Sequence, residues 1–306
     1  MYNAALYVLT VLIWGSTWLA IKYQLGVVSP ELSIAYRFGL AAFILLIYSL
    51  LRRLPLRYGL KSHGFFALQG FLLFSLNYIL VYVAEGYLTS GLVAIIFSLI
   101  IVLNVIFGAV FLRNPIRTRV LFGAAIGLAG LSFVFWGELS SFSLTSQKAF
   151  GMILALVSTI SASLGNVVSA RNQRHGLPVI QTNAYGMLYG AVFMLVFAIF
   201  RSAQLEFDTS AGYILSLFYL AIFGSVIAFG SYLTLIGKIG LDRAAYVTVL
   251  FPVIALLLST FFEDLEWGTP QLVGVILILL GNAVVVTKKW DIGWMKRSKQ
   301  DTLPNK

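Results

Sequence analysis

Cysteine is absent from the 306 residues, and only two histidines are present, His63 and His175. Without thiols there is no disulfide framework, no iron–sulfur site and no thiol nucleophile. Charge is scarce as well, at 10% of residues against roughly 25% in an ordinary soluble domain. A water-soluble enzyme and a disordered chain are thereby excluded. None of the eleven acidic residues falls at the centre of an apolar run, and both histidines sit in basic loops. An intramembrane enzyme would need an aspartyl pair, a Ser–His couple or a His/Glu metal cluster within the apolar runs. No such set exists, so no catalytic residue, metal ligand or cofactor site is assigned. A repeated filter or a ring of charges, the mark of a channel, is missing too. The first apolar run lacks a basic leader and a small-residue cleavage site, and it reads as a retained span.

What the sequence has in abundance is apolar surface: 60% of residues are hydrophobic and the mean hydropathy is +0.93. At about 20 apolar residues per crossing, ten runs emerge, near 4–22, 31–51, 64–84, 91–112, 118–137, 148–170, 178–200, 211–236, 243–262 and 270–288. The expected class is an all-α membrane protein with the lipid bilayer as its surroundings. Seventeen of the 21 basic residues fall in alternate loops and the C-terminal tail, among them Arg52, Arg53, Arg57, Arg113, Arg117, Arg119, Lys238 and Arg243. Lys and Arg are retained on the cytoplasmic side, so both termini are expected there, as an even number of crossings requires. The net charge of +10 is therefore a topology pattern, and nucleic acid is not an expected partner.

The two halves of the chain resemble each other. GAAIGLAG (123–130) faces GVILILLG (274–281) at an offset of 151, which also aligns Leu99 with Leu250 and Ala94 with Ala245. Trp14-Gly15-Ser16 faces Leu164-Gly165-Asn166 at an offset of 150. A unit of five crossings is odd, so its second copy enters from the opposite face. The basic loop Arg113–Arg119 accordingly has an acidic counterpart at Glu263–Glu266. The expected organisation is a first repeat over 1–140, an inverted second repeat over 141–288 and a basic cytoplasmic tail over 289–306. Inverted repeats that exchange conformations open a midplane site to each side in turn, so the function expected is transport of a small molecule.

LIWGSTWLAIK (12–22), YRFGLAA (36–42), GAAIGLAG, LFPVIALLLSTFF (250–262) and VGVILILLG (273–281) resemble, in order and spacing, the drug/metabolite transporter superfamily, and within it the duplicated EamA family of inner-membrane exporters. The resemblance covers about 4–288. It implies two inverted five-helix repeats around a central cavity, with spans one to four and six to nine lining it and spans five and ten at the periphery. It also implies export of amino acids or related small metabolites, with import or exchange of vitamins, nucleosides or nucleotide-like metabolites as the alternative. The family often carries Leu-Gly-Glu after span four, where this chain has Leu112-Arg113-Asn114-Pro115.

Polar and aromatic residues inside the spans are the candidate substrate contacts, because such groups in a membrane interior face a cavity or another helix. Trp14 lies about 15 Å into span one at 1.5 Å per residue, with Trp18 one turn further along the same face. Either they wall a cavity or Trp14 packs against span six. Ser16 and Asn166 occupy matching repeat positions. Asn77, Tyr78, Tyr82 and Glu85 recur at helical spacing on span three; Glu85 is a coupling candidate or a boundary residue paired with Lys22. Arg37 is the one basic residue clearly inside a span, where a guanidinium costs roughly 2.5–3.5 kcal/mol. It binds a carboxylate through its planar fork, snorkels outward, or satisfies carbonyl groups at a helix end. Asn104, Tyr185, Tyr232 and Tyr246 complete the set, with Asn183 beside Tyr185. The pairs Gly123/Gly127 and Gly186/Gly190 mark close packing, within the chain or in a homodimer through the glycine-rich fifth or tenth helix.

Overall fold

A computed structural model describes residues 2–24, 26–262 and 267–286. The basic tail and the acidic loop Glu263–Glu266, both singled out above, lie outside the described residues. Ten helical rods carry the chain: α1 (Tyr2–Lys22), α2 (Pro30–Leu51), α3 (Leu60–Glu85), α4 (Gly91–Leu112), α5 (Thr118–Val134), α6 (Ser146–Arg174), α7 (Val179–Phe200), α8 (Ala211–Ile239), α9 (241–262) and α10 (Thr269–Val286). Seven of these are long and apolar enough to cross a membrane by length and composition, while Thr118–Val134 and Thr269–Val285 are shorter apolar helices. The expected spans and the observed rods differ by a few residues at the ends. The largest differences are that α3 and α6 start or finish a turn further into the basic loops.

Local chemistry explains the boundaries. Pro30 opens α2 at its first helical position, where the missing N–H is an orphan in any helix. The hydroxyls of Thr145 and Ser210 accept from the backbone N–H groups of Lys148 and Tyr213 at 3.3 Å each, capping α6 and α8. At the end of α4, Arg113 turns left-handed (φ 55°) while its N–H returns to the Ala109 carbonyl, and the Asn114 N–H returns to Gly108. Gly240, at φ 98°, supplies the sharp step between α8 and α9, a conformation a side chain would strain.

The duplication is visible in backbone geometry. Gly70–Leu76 in α3 and Leu220–Ile227 in α8 are both π-helical, at the offset of 150 found in the sequence. In each, a serine hydroxyl donates to the carbonyl five residues earlier: Ser75 to Gly70 at 3.3 Å and Ser225 to Leu220 at 3.0 Å. A π segment widens the turn and leaves backbone groups open to other partners. Ser75 also donates to the Gly190 carbonyl of α7 at 2.9 Å, and Ser225 accepts from Arg37 of α2 at 2.9 Å. Thus α3 meets α7 as α8 meets α2.

The peripheral pair is α5 and α10, whose glycines face one another. A Cβ on Gly130 would stand 2.6 Å from the Gly274 carbonyl oxygen, and one on Gly123 would stand 2.9 Å from that of Gly281. Gly186 and Gly190 of α7 likewise accommodate Gly70 and Phe74 of α3. The glycine faces proposed for a homodimer through the fifth or tenth helix are therefore filled within the chain, because only glycine lets the two backbones come this close. The same packing sets a test. Gly274→Val forces a side chain onto the Gly130 carbonyl and Val134, and overpacking of this kind costs roughly 1–3 kcal/mol. The thermal midpoint of the detergent-solubilised protein should fall. Gly230→Ala, where a Cβ meets nothing within 4 Å, should leave it unchanged.

Candidate functional site

A cavity of about 160 Å³ lies between the two halves, walled by residues of α1, α2, α3, α4, α6, α8 and α9. That is below the roughly 300–1,000 Å³ of sites for drug-sized ligands and suits one small metabolite. No residue of α7 lines it, contrary to the expectation for span seven, since α7 is committed to α2 and α3. Measured down α3 from Glu85 at about 1.5 Å per residue, Tyr82 is about 4–5 Å in, Tyr78 about 10 Å and Leu73 about 18 Å.

The deep wall is aromatic. The Trp14 ring lies 5.1 Å from Phe229 edge-on and 5.0 Å from Tyr232, and its indole N–H donates to the Gly224 carbonyl at 3.3 Å. The π turn of α8 presents that carbonyl. Trp14 thus packs against span eight, not span six as the alternative reading had it, and its other side faces the cavity. Asn166 donates through Nδ2 to the Tyr232 hydroxyl at 3.2 Å, while its Oδ1 is buried with no partner. Asn77 is fully engaged: its Oδ1 accepts from Ser158 at 2.8 Å, and its Nδ2 reaches the Leu73 carbonyl at 3.4 Å.

Arg37 enters from α2 at the level of Tyr78. It is 5% exposed, its Nε donates to Ser225 at 2.9 Å, and its guanidinium carbon sits 5.2 Å from the Tyr78 ring centre and 5.4 Å from that of Phe38. No carboxylate among the described residues pairs with it, and both Nη groups are free of hydrogen bonds. A guanidinium over ring faces is held by the ring quadrupoles while its planar fork stays available for a carboxylate. The repeat shows how the space arose. The position of Phe74 in the first half is Gly224 in the second, and that of Arg37 is Met187. A Cβ on Gly224 would stand 3.1 Å from an Arg37 Nη, so the glycine makes room for the cation.

Glu85 lines the end of the cavity away from Leu73, with a buried Oε1 that has no partner. The side chains of Lys22 and Trp18 lie outside the described residues, so the Lys22–Glu85 pairing and the second tryptophan of the wall are not placed. Of the other expected site residues, Trp14, Arg37, Asn77, Tyr78, Tyr82, Asn166 and Tyr232 line the cavity with Glu85. Four do not. Ser16 bonds Tyr219 at 2.6 Å; Asn104 bridges Ser163 and the Leu241 carbonyl. Tyr185 stacks on Phe66 at the basic end and donates to the Leu56 carbonyl at 2.6 Å. Tyr246 stands between α5 and α10, donating to the Gly123 and Ile278 carbonyls. Each finds a partner elsewhere in the chain, in a neighbouring helix or, for Tyr185, in the loop before α3, because a polar group in an apolar surrounding needs one. Thr17, Phe97, Phe229, Thr248 and Phe251 line the cavity without having been singled out; Thr248 and Phe97 occupy matching repeat positions, the one signal that pointed to them.

Comparison with known proteins agrees with this architecture. The Escherichia coli K12 protein described as uncharacterized inner membrane transporter YedA is 32% identical over 291 residues, covering 90% of each chain. Protein PagO of Salmonella typhimurium LT2 is 25% identical over 291 residues, covering 93% of this chain and 95% of PagO. One crystal structure of a protein superposes with a TM-score of 0.75 at 22% identity, over 93% of this chain and 96% of the other, which speaks to the fold alone. The profile of the EamA-like transporter family matches twice, at residues 2–136 and 149–287, once per five-helix unit. This chain belongs to the EamA-like transporter family.

Proposed function

We propose that this transporter exports amino acids or closely related small amphipathic metabolites across the bacterial inner membrane by alternating access, with both termini in the cytoplasm. The observation that carries this reading is Arg37, a cation in an aromatic cavity whose Nη groups meet no hydrogen-bond partner and no carboxylate among the described residues. A substrate carboxylate supplies the missing anion. Glu85, about 10 Å up the wall with an unpartnered oxygen, suits an amine, and the rings of Trp14, Phe229 and Tyr232 suit an apolar body. The basic loops support the orientation through the retention of Lys and Arg on the cytoplasmic side, and the inner-membrane description of the relatives supports the compartment.

Export is tested by expressing the protein in cells and scoring protection and efflux against amino acids, nucleosides and amphipathic drugs. Amino acids should be protected against. Trp14→Ala and Tyr82→Ala should each weaken that protection, and protection untouched by both would remove the cavity from the argument. Arg37→Gln should cost at least tenfold in apparent affinity for carboxylate-bearing substrates, a loss on the order of the 1.5–3 kcal/mol of a charge-assisted hydrogen bond. A neutral ester of the same substrate should be affected far less. Nucleosides are the second reading, favoured by the unpartnered Asn166 oxygen beside the aromatic wall of Trp14 and Tyr232; selective protection against them with no response to Arg37→Gln would establish it instead.

Glu85 is the candidate for coupling. Glu85→Gln should abolish uptake or efflux driven by a pH gradient while leaving counterflow exchange intact in proteoliposomes. Gradient-driven flux at the wild-type rate would leave facilitated diffusion or exchange as the mode.

A further inference from the structure

A second, larger cavity of about 820 Å³ opens at the basic end, lined by Asn3, Arg117, Arg174, Ile236, Asp242 and Arg243 among others. The two cavities do not join. On α6 the first ends at Asn166 and the second begins at Ala170; on α8 the first ends at Tyr232 and the second begins at Thr234. The steps are four and two residues, so the septum is at most about 6 Å thick along these helices.

Two contacts pin the septum, and both join the first half of the chain to the turn that starts α9. Arg117 Nη1 donates to both carboxylate oxygens of Asp242 at 3.1 Å. Asn104, 1% exposed, accepts from Ser163 at 2.7 Å and donates to the Leu241 carbonyl at 3.3 Å. The inverted repeat provides an internal control. At the offset of 151, Asn104 corresponds to Ala255, Arg117 to Gly268, Leu241 to Ser90 and Asp242 to Gly91. The clamp has no equivalent at the acidic end: its amide and both its charges are replaced by methyl or hydrogen. There the turn before α4 is instead tied within its own half, Thr89 donating to Glu138. Some other contacts between the halves are matched. Ties of α8 to α1 and α2 near the acidic end, such as Gln24 to Ser216 and Ser33 to Tyr213, have counterparts in α3 with α6 and α7 near the basic end, such as Asn172 to Gln69 and Gln69 to Asn183. The clamp at 241–242 has no such counterpart.

We propose that Asn104, Arg117 and Asp242 form the gate of the basic end: they hold the start of α9 against the first half, and their release joins the 820 Å³ vestibule to the substrate cavity. They are positioning residues and touch no substrate. Gly240 sits at the foot of the clamped turn, where its positive φ gives the turn a place to pivot. The proposal rests on family membership and on the septum, not on the identity of the substrate.

The natural absence of cysteine makes the test direct. Thr248→Cys, on α9 at the cavity side of the septum, reports accessibility to a charged maleimide applied to the full-length protein in sealed vesicles of either orientation; Arg57→Cys fixes the sidedness. With the gate intact, labelling from the basic end should be slow. Asp242→Asn or Asn104→Ala should raise it about fivefold, as loss of a partly exposed ion pair or one amide contact implies, and lower it from the acidic end. The exchanged pair Arg117→Asp with Asp242→Arg should return it to the original rate, which a merely structural defect would not do. Should a single variant fail to fold, Arg117→Lys, which keeps the charge and loses the fork, provides an intermediate rate. Unchanged labelling in monodisperse variants, or an equal rise from both ends, overturns the gate. Since no substrate enters the measurement, its outcome is separable from that of the efflux screen.

Discussion

A guanidinium placed inside an apolar bundle must be stabilised locally, and the way Arg37 is stabilised constrains much of the surrounding structure. An ion pair would have satisfied the charge and silenced it. Instead, a serine hydroxyl takes one N–H and two ring faces take the positive charge. The hydroxyl is in reach because α8 widens into a π segment, and the ring faces are in reach because Phe38 follows Arg37 on α2 and Tyr78 stands opposite on α3. Gly224 completes the arrangement by leaving a volume that Phe74 fills in the other half. Remove the π turn, and Ser225 rotates away from α2 while the Trp14 indole loses the Gly224 carbonyl. The cation, the aromatic wall and the departure of one half from the other at Gly224 are thus consequences of one backbone feature.

Duplication accounts for the rest. Two copies of a five-helix unit, facing opposite ways, give matched π segments, matched scaffold ties and a glycine seam between α5 and α10. Where the copies agree, they build the frame; where they differ, they build function. Arg37 against Met187 and Gly224 against Phe74 place charge on one side of the cavity only. Asn104, Arg117 and Asp242 against Ala255, Gly268 and Gly91 close one end only. A symmetric pair would have no preferred resting state, since both ends would be held equally. The side-chain differences bias that choice, in the sense that a two-state equilibrium responds only to interactions present in one state.

Much of this frame was legible in the sequence because it is written in period and composition. Ten apolar runs, alternating basic loops and the offset of 150–151 are statements about transfer of side chains from water and about chain direction, and neither depends on detailed packing. Trp14, Arg37, Tyr78, Tyr82, Asn166 and Tyr232 were found by a rule of the same kind, that polar and amphipathic groups avoid lipid. The rule cannot say which interior surface such a group meets. Asn104, Tyr185, Tyr246 and Ser16 obey it equally well by bonding neighbouring helices or, for Tyr185, the loop at the basic end, and only the azimuth of each helix separates the two fates. Likewise GxxxG announces close approach without naming the partner, which proved to be the tenth helix for Gly123, the ninth (Tyr246 and Val249) for Gly127, and the third for Gly186 and Gly190. The π segments have no compositional mark at all. Only their repetition at the duplication offset, seen once the backbone is known, identifies them.

The thin septum ties the frame to transport. A barrier of at most about one helical turn can be crossed by a displacement of one element, without dissolving the bundle, provided that element is separable from its neighbours along the chain. The start of α9 is such an element: Leu241–Ala244 is a short helix of its own, followed by a break before Val247, and it is flanked by Gly240. Below Pro252, which interrupts the hydrogen-bond ladder of α9, this segment is mechanically separable from the part of α9 that Gly15 brings against α1. Glycine seams and π-turn serines join the helices of the frame where the two copies agree, whereas one ion pair and one amide fix a single turn where they differ. Alternating access asks for such a switchable contact at one end, and here it lies where the two copies of the unit stopped being alike.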